Sequence, residues 1–264
     1  MNIRLSRALL FLCTAVSQTV SMNAQTAATS NVYVFPLFVD GSSGGVTYRS
    51  TVKITKTSTA DPTQCQLIQR NTSAPFTGIA GGSYSADVFD GGFSPPALTL
   101  LTLDRFLPFE ILRTGGQSRL TTGYAMLSCT GTVQTQLQFS LFDTQNTKLG
   151  EATILPAVQG NSFRFLIDTR DGTRLGFSLA NNSTAGGQFA LIARDQFNYE
   201  VDREYAWIDP WSQVSHFFDE MLALPANFVG TVELTGVSGG RNYAIGLQFT
   251  GPVFTTVEPL VAEE

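Results

Sequence analysis

The stretch Val52–Gln69 (VKITKTSTADPTQCQLIQ) decides the fold, because a second stretch with the same plan stands later in the chain. Its counterpart is Phe177–Ala193 (FSLANNSTAGGQFALIA). Each contains a short segment typical of a strand, a Ser-Thr-Ala turn and a second strand segment. Each second segment ends Leu-Ile-x-Arg, at Arg70 and at Arg194. This match predicts that two halves of the chain share one β-rich plan.

Two further pairs of segments occur in the same order on either side of this match. Before it, Phe35–Asp40 (FPLFVD) parallels Phe163–Thr169 (FRFLIDT), each an apolar run that ends in Asp before a glycine-containing turn. After it, Gly123–Leu141 (GYAMLSCTGTVQTQLQFSL) parallels Gly230–Phe249 (GTVELTGVSGGRNYAIGLQF). Three matching blocks in one order predict a tandem repeat.

The spacing of these blocks defines the expected modules. Module one covers residues 31–157, module two covers 161–259, and the first is longer because of a Gly-, Ser- and Pro-rich insertion within Thr72–Pro108. Short β-branched and aromatic segments bounded by Gly, Asn or Asp predict an all-β fold of two tandem sandwich-like modules. The repeat alone leaves open whether each half forms its own sandwich or both share one.

One segment of module two has helical rather than strand spacing. In Ser212–Leu224 (SQVSHFFDEMLAL) the apolar residues recur every three or four positions, at Val214, Phe217, Phe218, Met221 and Leu222. Ser212 suits an N-cap and Pro225 ends the segment, so we expect one short helix over these residues.

Several stretches of module two resemble a module of uncharacterised secreted bacterial proteins. They are Leu175–Thr184 (LGFSLANNST), Phe217–Leu234 (FFDEMLALPANFVGTVEL) and Ala244–Pro259 (AIGLQFTGPVFTTVEP). The resemblance is good over residues 164–259 and loose over 32–157, where Thr99–Leu112 has no clear helix. It implies a β-sandwich unit and export only; an activity does not follow from it.

The N-terminus has the order of a secretory signal peptide. Arg4 and Arg7 precede the apolar run Ala8–Val16 (ALLFLCTAV), and small or polar residues follow. We expect a signal peptide over residues 1–24, with cleavage after Ala24 or Ala28, and no membrane span once it is removed. The expected location is secreted, periplasmic or at the cell surface.

Charge and cysteine content limit the partners. Removal of the two signal arginines leaves 14 basic against 21 acidic residues, a formal charge of −7. An acidic chain disfavours nucleic acid, so we expect an extracellular protein or a glycan as partner. Cys13 leaves with the signal, and the remaining pair, Cys65 and Cys129, is expected to form a disulfide in an oxidising compartment.

The residues available for catalysis are few. His216 is the only histidine, and Ser212, His216 and Asp219 would all lie on one helix, whereas a working triad draws on separate elements. The segment Asp168–Gly172 (DTRDG) lacks the alternating acids of a calcium loop. We therefore expect no catalytic residue, no metal and no cofactor, and we favour a protein that is not an enzyme.

The densest aromatic group lies between residues 199 and 211. As possible ligand-binding residues we select the aromatic and acidic side chains of this stretch: Tyr199, Tyr205, Trp207, Trp211, Asp202 and Glu204. In a carbohydrate-binding protein such rings stack on sugars while acids bind the hydroxyls; in an ordinary sandwich the same residues pack into the core. The favoured function is an exported, non-catalytic surface, adhesion or matrix-type protein. The alternative is a secreted carbohydrate-binding or carbohydrate-active protein that uses this stretch.

Overall fold

The computed structural model describes residues 30–57, 63–70, 78–80, 84–88, 97–103, 109–112, 120–236, 240–251 and 253–262. The expected signal peptide and most of the expected insertion lie outside these residues. Within them the fold is all-β, as predicted, with one α-helical turn, α1, at Phe218–Met221 and a 3-10 turn at Arg170–Gly172. The strands are β1 Asn31–Ser43, β2 Val46–Lys56, β3 Thr63–Arg70, β4 Gly78–Ala80, β5 Tyr84–Val88, β6 Ala97–Leu103, β7 Phe109–Leu112, β8 Thr121–Cys129, β9 Val133–Phe142, β10 Lys148–Ile154, β11 Ser162–Asp168, β12 Thr173–Asn181, β13 Gly187–Asp195, β14 Glu200–Ile208, β15 Ser212–Phe217, β16 Val229–Thr235, β17 Asn242–Thr250, β18 Val253–Val257 and β19 Leu260–Val261.

The first half, β1 to β10, is a set of antiparallel strands wrapped around one core. Strand β1 joins its two parts: residues 31–40 pair with β8, and residues 41–43 pair with β2. One part then has the order β1-β8-β3-β6-β5 and the other β10-β9-β2, with β7 and β4 continuing from β2. Alternate residues of these strands face inward and form a single apolar cluster that includes Phe35, Ile54, Leu67 and Leu137.

The second half, β11 to β19, consists of two sheets with a second apolar cluster between them. One sheet has five strands in the order β14-β13-β16-β11-β19, and the other has four in the order β15-β12-β17-β18. Phe163, Phe165, Phe177, Phe189 and Leu234 lie in this cluster. Both sheets are antiparallel throughout, so alternate residues of each strand point toward the core and away from it.

The two halves pair their strands in the same order. In the first half β1, β8, β3 and β6 are successive neighbours, as β11, β16, β13 and β14 are in the second. Likewise β10-β9-β2-β7 corresponds to β18-β17-β12-β15. The register agrees at one edge too, since Arg70 pairs with the residue after Gly123 and Arg194 pairs with the residue after Gly230.

Gly123 and Gly230 make the same close approach. A Cβ atom built on Gly123 would lie 2.1 Å from the backbone oxygen of Arg70, and one on Gly230 would lie 2.1 Å from that of Arg194. The same Cβ atoms would also lie 2.7 Å from an aromatic ring, that of Phe38 beside Gly123 and that of Phe228 beside Gly230. Any side chain would therefore push two strands apart.

We expect Gly123→Ala and Gly230→Ala each to lower the free energy of unfolding by about 3 kcal/mol, because the added methyl group overpacks against backbone. Gly176→Ala is the matched control: it lies inside β12, but its nearest contact is a backbone oxygen of His216 at 3.2 Å. Its cost should stay below about 1 kcal/mol. Urea unfolding of the three variants measures this, and equal stability of all three would contradict the packing argument.

The two halves are in contact through the outward side of the four-stranded sheet. Ile245, Leu247 and Phe254, from β17 and β18, belong to the first-half core cluster. The Tyr124 hydroxyl donates to Asn182 Oδ1 at 3.0 Å, and both groups are buried. Burial of this phenol raises the pKa of Tyr124. Each half therefore has its own sheets, while the first core is completed by the second half.

The predicted disulfide is confirmed. Cys65 and Cys129 are bonded, with Cα atoms 4.1 Å apart. They lie directly opposite each other on the neighbouring strands β3 and β8. The bridge therefore links two paired strands of one sheet, with both sulfurs buried in the first-half core.

The predicted helix over Ser212–Leu224 is much shorter in the structure. Ser212–Phe217 forms β15, which pairs antiparallel with β12, and the helix is confined to Phe218–Met221. Six residues of this segment are in register with β12, and the backbone hydrogen bonds of this ladder outweigh helical spacing over so short a segment. The Glu220 carboxylate accepts a hydrogen bond from the Phe217 backbone N–H at 3.3 Å, at the start of the helical turn.

The described residues include no helix that is both long and apolar enough to cross a membrane.

Candidate functional site

Strand β14 carries most of the residues selected from the sequence, and its register divides them between two faces. Tyr205 pairs with Ala190 and Trp207 with Gln188 of β13. Ala206, between them, packs against the second-half core. Because side chains alternate along a strand, Tyr205 and Trp207 share the side of the five-stranded sheet that faces away from the core. We call this side the outer face; it is formed by Arg203, Tyr205 and Trp207 of β14 with Gln188, Ala190 and Ile192 of β13.

The two rings of the outer face are solvent-exposed. Tyr205 is 57 % exposed and Trp207 is 60 % exposed. Beside them, Ala190 and Ile192 are only 7 % and 6 % exposed, although they point away from the core. The two exposed rings therefore stand beside a buried apolar strip of the same face, formed by Ala190 and Ile192. Clustered exposed rings of this kind mark interaction surfaces more often than single exposed apolar residues do.

The Trp207 ring is held in place on both sides. Its Nε1–H donates to the Asp209 carboxylate at 2.9 Å. A Cβ atom on Gly186 would lie 2.9 Å from the indole Cζ2, so this ring packs where only glycine leaves room. A ring fixed before binding loses little conformational entropy when it contacts a ligand.

An ion pair fixes the other end of the strand. The Arg203 guanidinium donates to both Glu200 carboxylate oxygens, at 2.9 and 2.7 Å. The hydrogen bonds from Arg203 lower the pKa of Glu200, and the same bonds, with a smaller contribution from Tyr205, raise the pKa of Arg203. Arg194 approaches the same carboxylate at 3.6 Å. Arginine and carboxylate thus stand beside the rings as fixed polar groups.

The selected acids of β14 lie on the opposite side of the strand. Asp202 pairs with Ala193 and Glu204 with Leu191, two residues that face the core. The Asp202 carboxylate accepts the backbone N–H of Ala223 at 2.6 Å, which ties the segment after α1 to the sheet. The structure therefore does not bring these acids to the exposed rings.

The two aromatic residues that flank β14 have different surroundings. Tyr199 is exposed and ends a turn in which the Asp195 carboxylate accepts the backbone N–H groups of Phe197 and Tyr199, each at 2.9 Å. Trp211 has a φ of 51° and packs against the first half, with the Arg70 guanidinium 4.6 Å from its ring centroid. Trp211 is therefore a contact residue between the two halves.

The residues considered for catalysis are held by other partners. The Ser212 hydroxyl donates to the Asp209 backbone oxygen at 2.8 Å, and the Arg174 guanidinium binds the Asp219 carboxylate in two bonds of 2.8 Å. These contacts do not form a Ser-His-Asp arrangement with His216.

The segment considered as a calcium loop has an internal ion pair. Hydrogen bonds from Arg170 lower the pKa of Asp168 to about 2. Among the residues that the structure describes, no three His, Cys, Asp or Glu side chains are grouped so that they could hold a metal ion.

Sequence reasoning did not select Gln188 and Arg203 of the outer face, nor Gly186 and Asp209, which hold the Trp207 ring. The Trp-x-Asp spacing is a local sequence signal for the hydrogen bond between the Trp207 indole N–H and the Asp209 carboxylate. Gln188 is brought in by strand pairing alone.

Comparison of the chain with protein-family models, with curated proteins and with solved structures finds no match in any of the three.

Proposed function

We propose that the chain is an exported, non-catalytic recognition protein of the surface, adhesion or matrix type, built from two tandem modules. The outer face of the second module is its binding surface. The observation that carries the proposal is the pair of exposed, fixed rings Tyr205 and Trp207 on a regular sheet.

The tandem repeat is supported by the common order of strand pairing in the two halves. It is also supported by Gly123 and Gly230, which occupy matching places in the sequence blocks and make the same 2.1 Å approach to an arginine backbone oxygen. Two unrelated sandwiches have no reason to share such a contact. The module boundaries proposed are 31–157 and 161–259.

Export is supported by the order of basic, apolar and small residues over 1–24 and by the Cys65–Cys129 disulfide. Disulfides form and persist outside the reducing cytosol. An oxidising compartment is therefore the setting in which this chain reaches its stable form.

The outer face has the composition of a recognition surface. Tyr, Trp and Arg are enriched among residues that contribute most to binding, and Tyr205, Trp207 and Arg203 stand together on it. Arg203 and Arg194 both face the Glu200 carboxylate, and the Asp209 carboxylate stands beside Trp207, so the face is apolar at the rings and close to neutral around them. Such a surface suits an uncharged or weakly charged partner.

A glycan is the second candidate partner, and the geometry of the two rings favours it. They are separated by one residue on a strand, a spacing of about 7 Å, which allows successive sugar units to stack on them. Gln188, opposite Trp207, and the Arg203–Glu200 pair offer donors and acceptors for hydroxyl groups on the same face. Asp202 and Glu204 lie on the other side and are left out of this arrangement.

We expect Trp207→Ala and Tyr205→Ala each to weaken binding to the protein's target at least tenfold, which corresponds to about 1.4 kcal/mol. A glycan array and a panel of immobilised matrix proteins identify the target, and surface plasmon resonance gives the affinities. Phe197→Ala is the matched control, because it removes an equally exposed ring outside the strand, and it should bind as the unaltered protein does. Binding that survives in Trp207→Ala and Tyr205→Ala would overturn the assignment of the face, and hydrolysis of a bound glycan would overturn the non-catalytic class.

A further inference from the structure

A cavity of about 320 Å³ lies where the two halves meet. Leu37, Val39 and Phe139 of the first half and Phe217, Leu247 and Phe249 of the second form its apolar walls. A volume of this size is within the range of small-molecule sites, which occur preferentially between packed units. Neither half would form the cavity alone.

A row of four aromatic rings, each in contact with the next, forms one wall of the cavity and continues beneath it. The ring centroids of Phe217 and Phe249 are 5.3 Å apart, those of Phe249 and Phe254 5.7 Å, and those of Phe254 and Phe139 4.5 Å. This series runs from the edge strand β15 into the buried core of the first half. Phe139 and Phe254 are fully buried, so the wall rests on packed side chains and keeps its shape.

Polar groups stand at the open side, on and after β15. Ser215 is exposed and pairs with Ser178, whose hydroxyl donates to the Pro36 backbone oxygen of the first half at 2.8 Å. Ser215 therefore lies on the side of its sheet that faces the cavity. Glu220 also lines the opening, and its carboxylate accepts a hydrogen bond from Arg174 at 3.2 Å.

The rim charges favour an uncharged head group. Glu220 is an acidic residue at the opening; Arg174, which binds it, does not line the cavity and is shared with the Asp219 carboxylate, so two anions stand against one cation beside the opening. An anionic head group would meet this excess of negative charge, whereas hydroxyl groups can bond to the carboxylate and to Ser215 without a charge penalty. The apolar walls at the same time require an apolar body.

We propose that this cavity binds a small neutral amphiphile, with an alkyl or aryl body against the phenylalanine wall and a hydroxylated head at the Ser215 and Glu220 rim. The site shares no residue with the outer face, so it stands or falls independently of the recognition function proposed above.

The test uses N-phenyl-1-naphthylamine, an uncharged fluorescent probe, titrated into the purified protein and then displaced with octyl glucoside below its micelle concentration. We expect one probe per chain with a dissociation constant on the order of 10 μM, as for small sites of this kind. Decanoate, an anionic competitor, should displace the probe at least tenfold less effectively than the glucoside.

Two variants and one control locate the binding. Ser215→Trp places bulk at the opening and should weaken probe binding at least tenfold, and Leu120→Gln, which makes an exposed lining residue polar, should weaken it severalfold without adding bulk. Thr255→Trp is the control: it is also exposed on an edge strand of the same sheet, but pairs with Gln248, on the side away from the cavity, and should bind normally. Absence of saturable binding, or equal binding in Leu120→Gln and Thr255→Trp, would overturn the proposal.

Discussion

Replacing both Cys65 and Cys129 with alanine is expected to lower the free energy of unfolding by about 4 kcal/mol. The bridge closes a loop between residues 64 positions apart, and it restricts the unfolded chain by that amount in the chain-entropy model. Alanine is chosen instead of serine because both cysteines are buried in the first-half core, where a serine hydroxyl would lack water. Loss of this bridge should destabilise the first half more than any single surface change.

Guanidinium unfolding of the double variant and of the reduced, unaltered protein measures this effect. The two should agree, because reduction and replacement remove the same cross-link. The slope of unfolding free energy against denaturant should also rise, since an unbridged chain exposes more surface when it unfolds. Two reactive thiols in the denatured, unreduced protein would show that the bridge does not form.

Phe218→Ala is expected to lower the free energy of unfolding by about 4 kcal/mol. The ring is 1 % exposed and packs between two other rings of the second-half core, at centroid distances of 4.9 Å to Phe177 and 5.4 Å to Phe165. Alanine would leave a cavity among rigid aromatic neighbours that cannot close it. Thermal and urea unfolding, followed by near-ultraviolet circular dichroism, measure the loss.

His216→Ala is the control for the Phe218 experiment, two residues away on β15. His216 is exposed, its ring centroid lies 6.3 Å from that of Phe177, and its replacement should change stability by less than about 0.5 kcal/mol. A cost for His216→Ala comparable with that for Phe218→Ala would mean that this histidine is part of the packing. Loss of ligand binding in His216→Ala with the fold intact would mean that this histidine takes part in binding.

The strand content and the disulfide could be predicted from sequence because their signals are local or countable. Strand segments such as Val133–Phe142 alternate apolar and polar residues, and two cysteines in an oxidising compartment have one possible pairing. The length of the helix could not be predicted from sequence. Ser212–Phe217 has helical spacing, but in the fold it pairs with the distant strand β12. Pairing between distant segments is decided by the whole fold.

The outer face could be predicted only in part, for a reason that lies in the backbone. Tyr205 and Trp207 follow the period of two that places them together. A register irregularity between Ala193 and Arg194 turns Val201 toward the core, out of step with Tyr205 and Trp207. Asp202 and Glu204 lie beyond it and alternate regularly with the rings, so spacing alone places these acids on the opposite side of the strand. Strand β17 is buried on both sides, which its run of apolar residues suits, but the sequence pattern predicts only an ordinary strand because the surface that covers it belongs to the distant first half.

The contribution of β17 and β18 to the first-half core has a consequence for biogenesis. Because a chain is synthesised from its N-terminus, β1 to β10 are made long before Ile245, Leu247 and Phe254 are added. Until then Leu37 and Phe139 lack part of their apolar cover, and such half-finished intermediates invite aggregation. Completion of the N-terminal core must therefore wait for strands encoded about a hundred residues downstream.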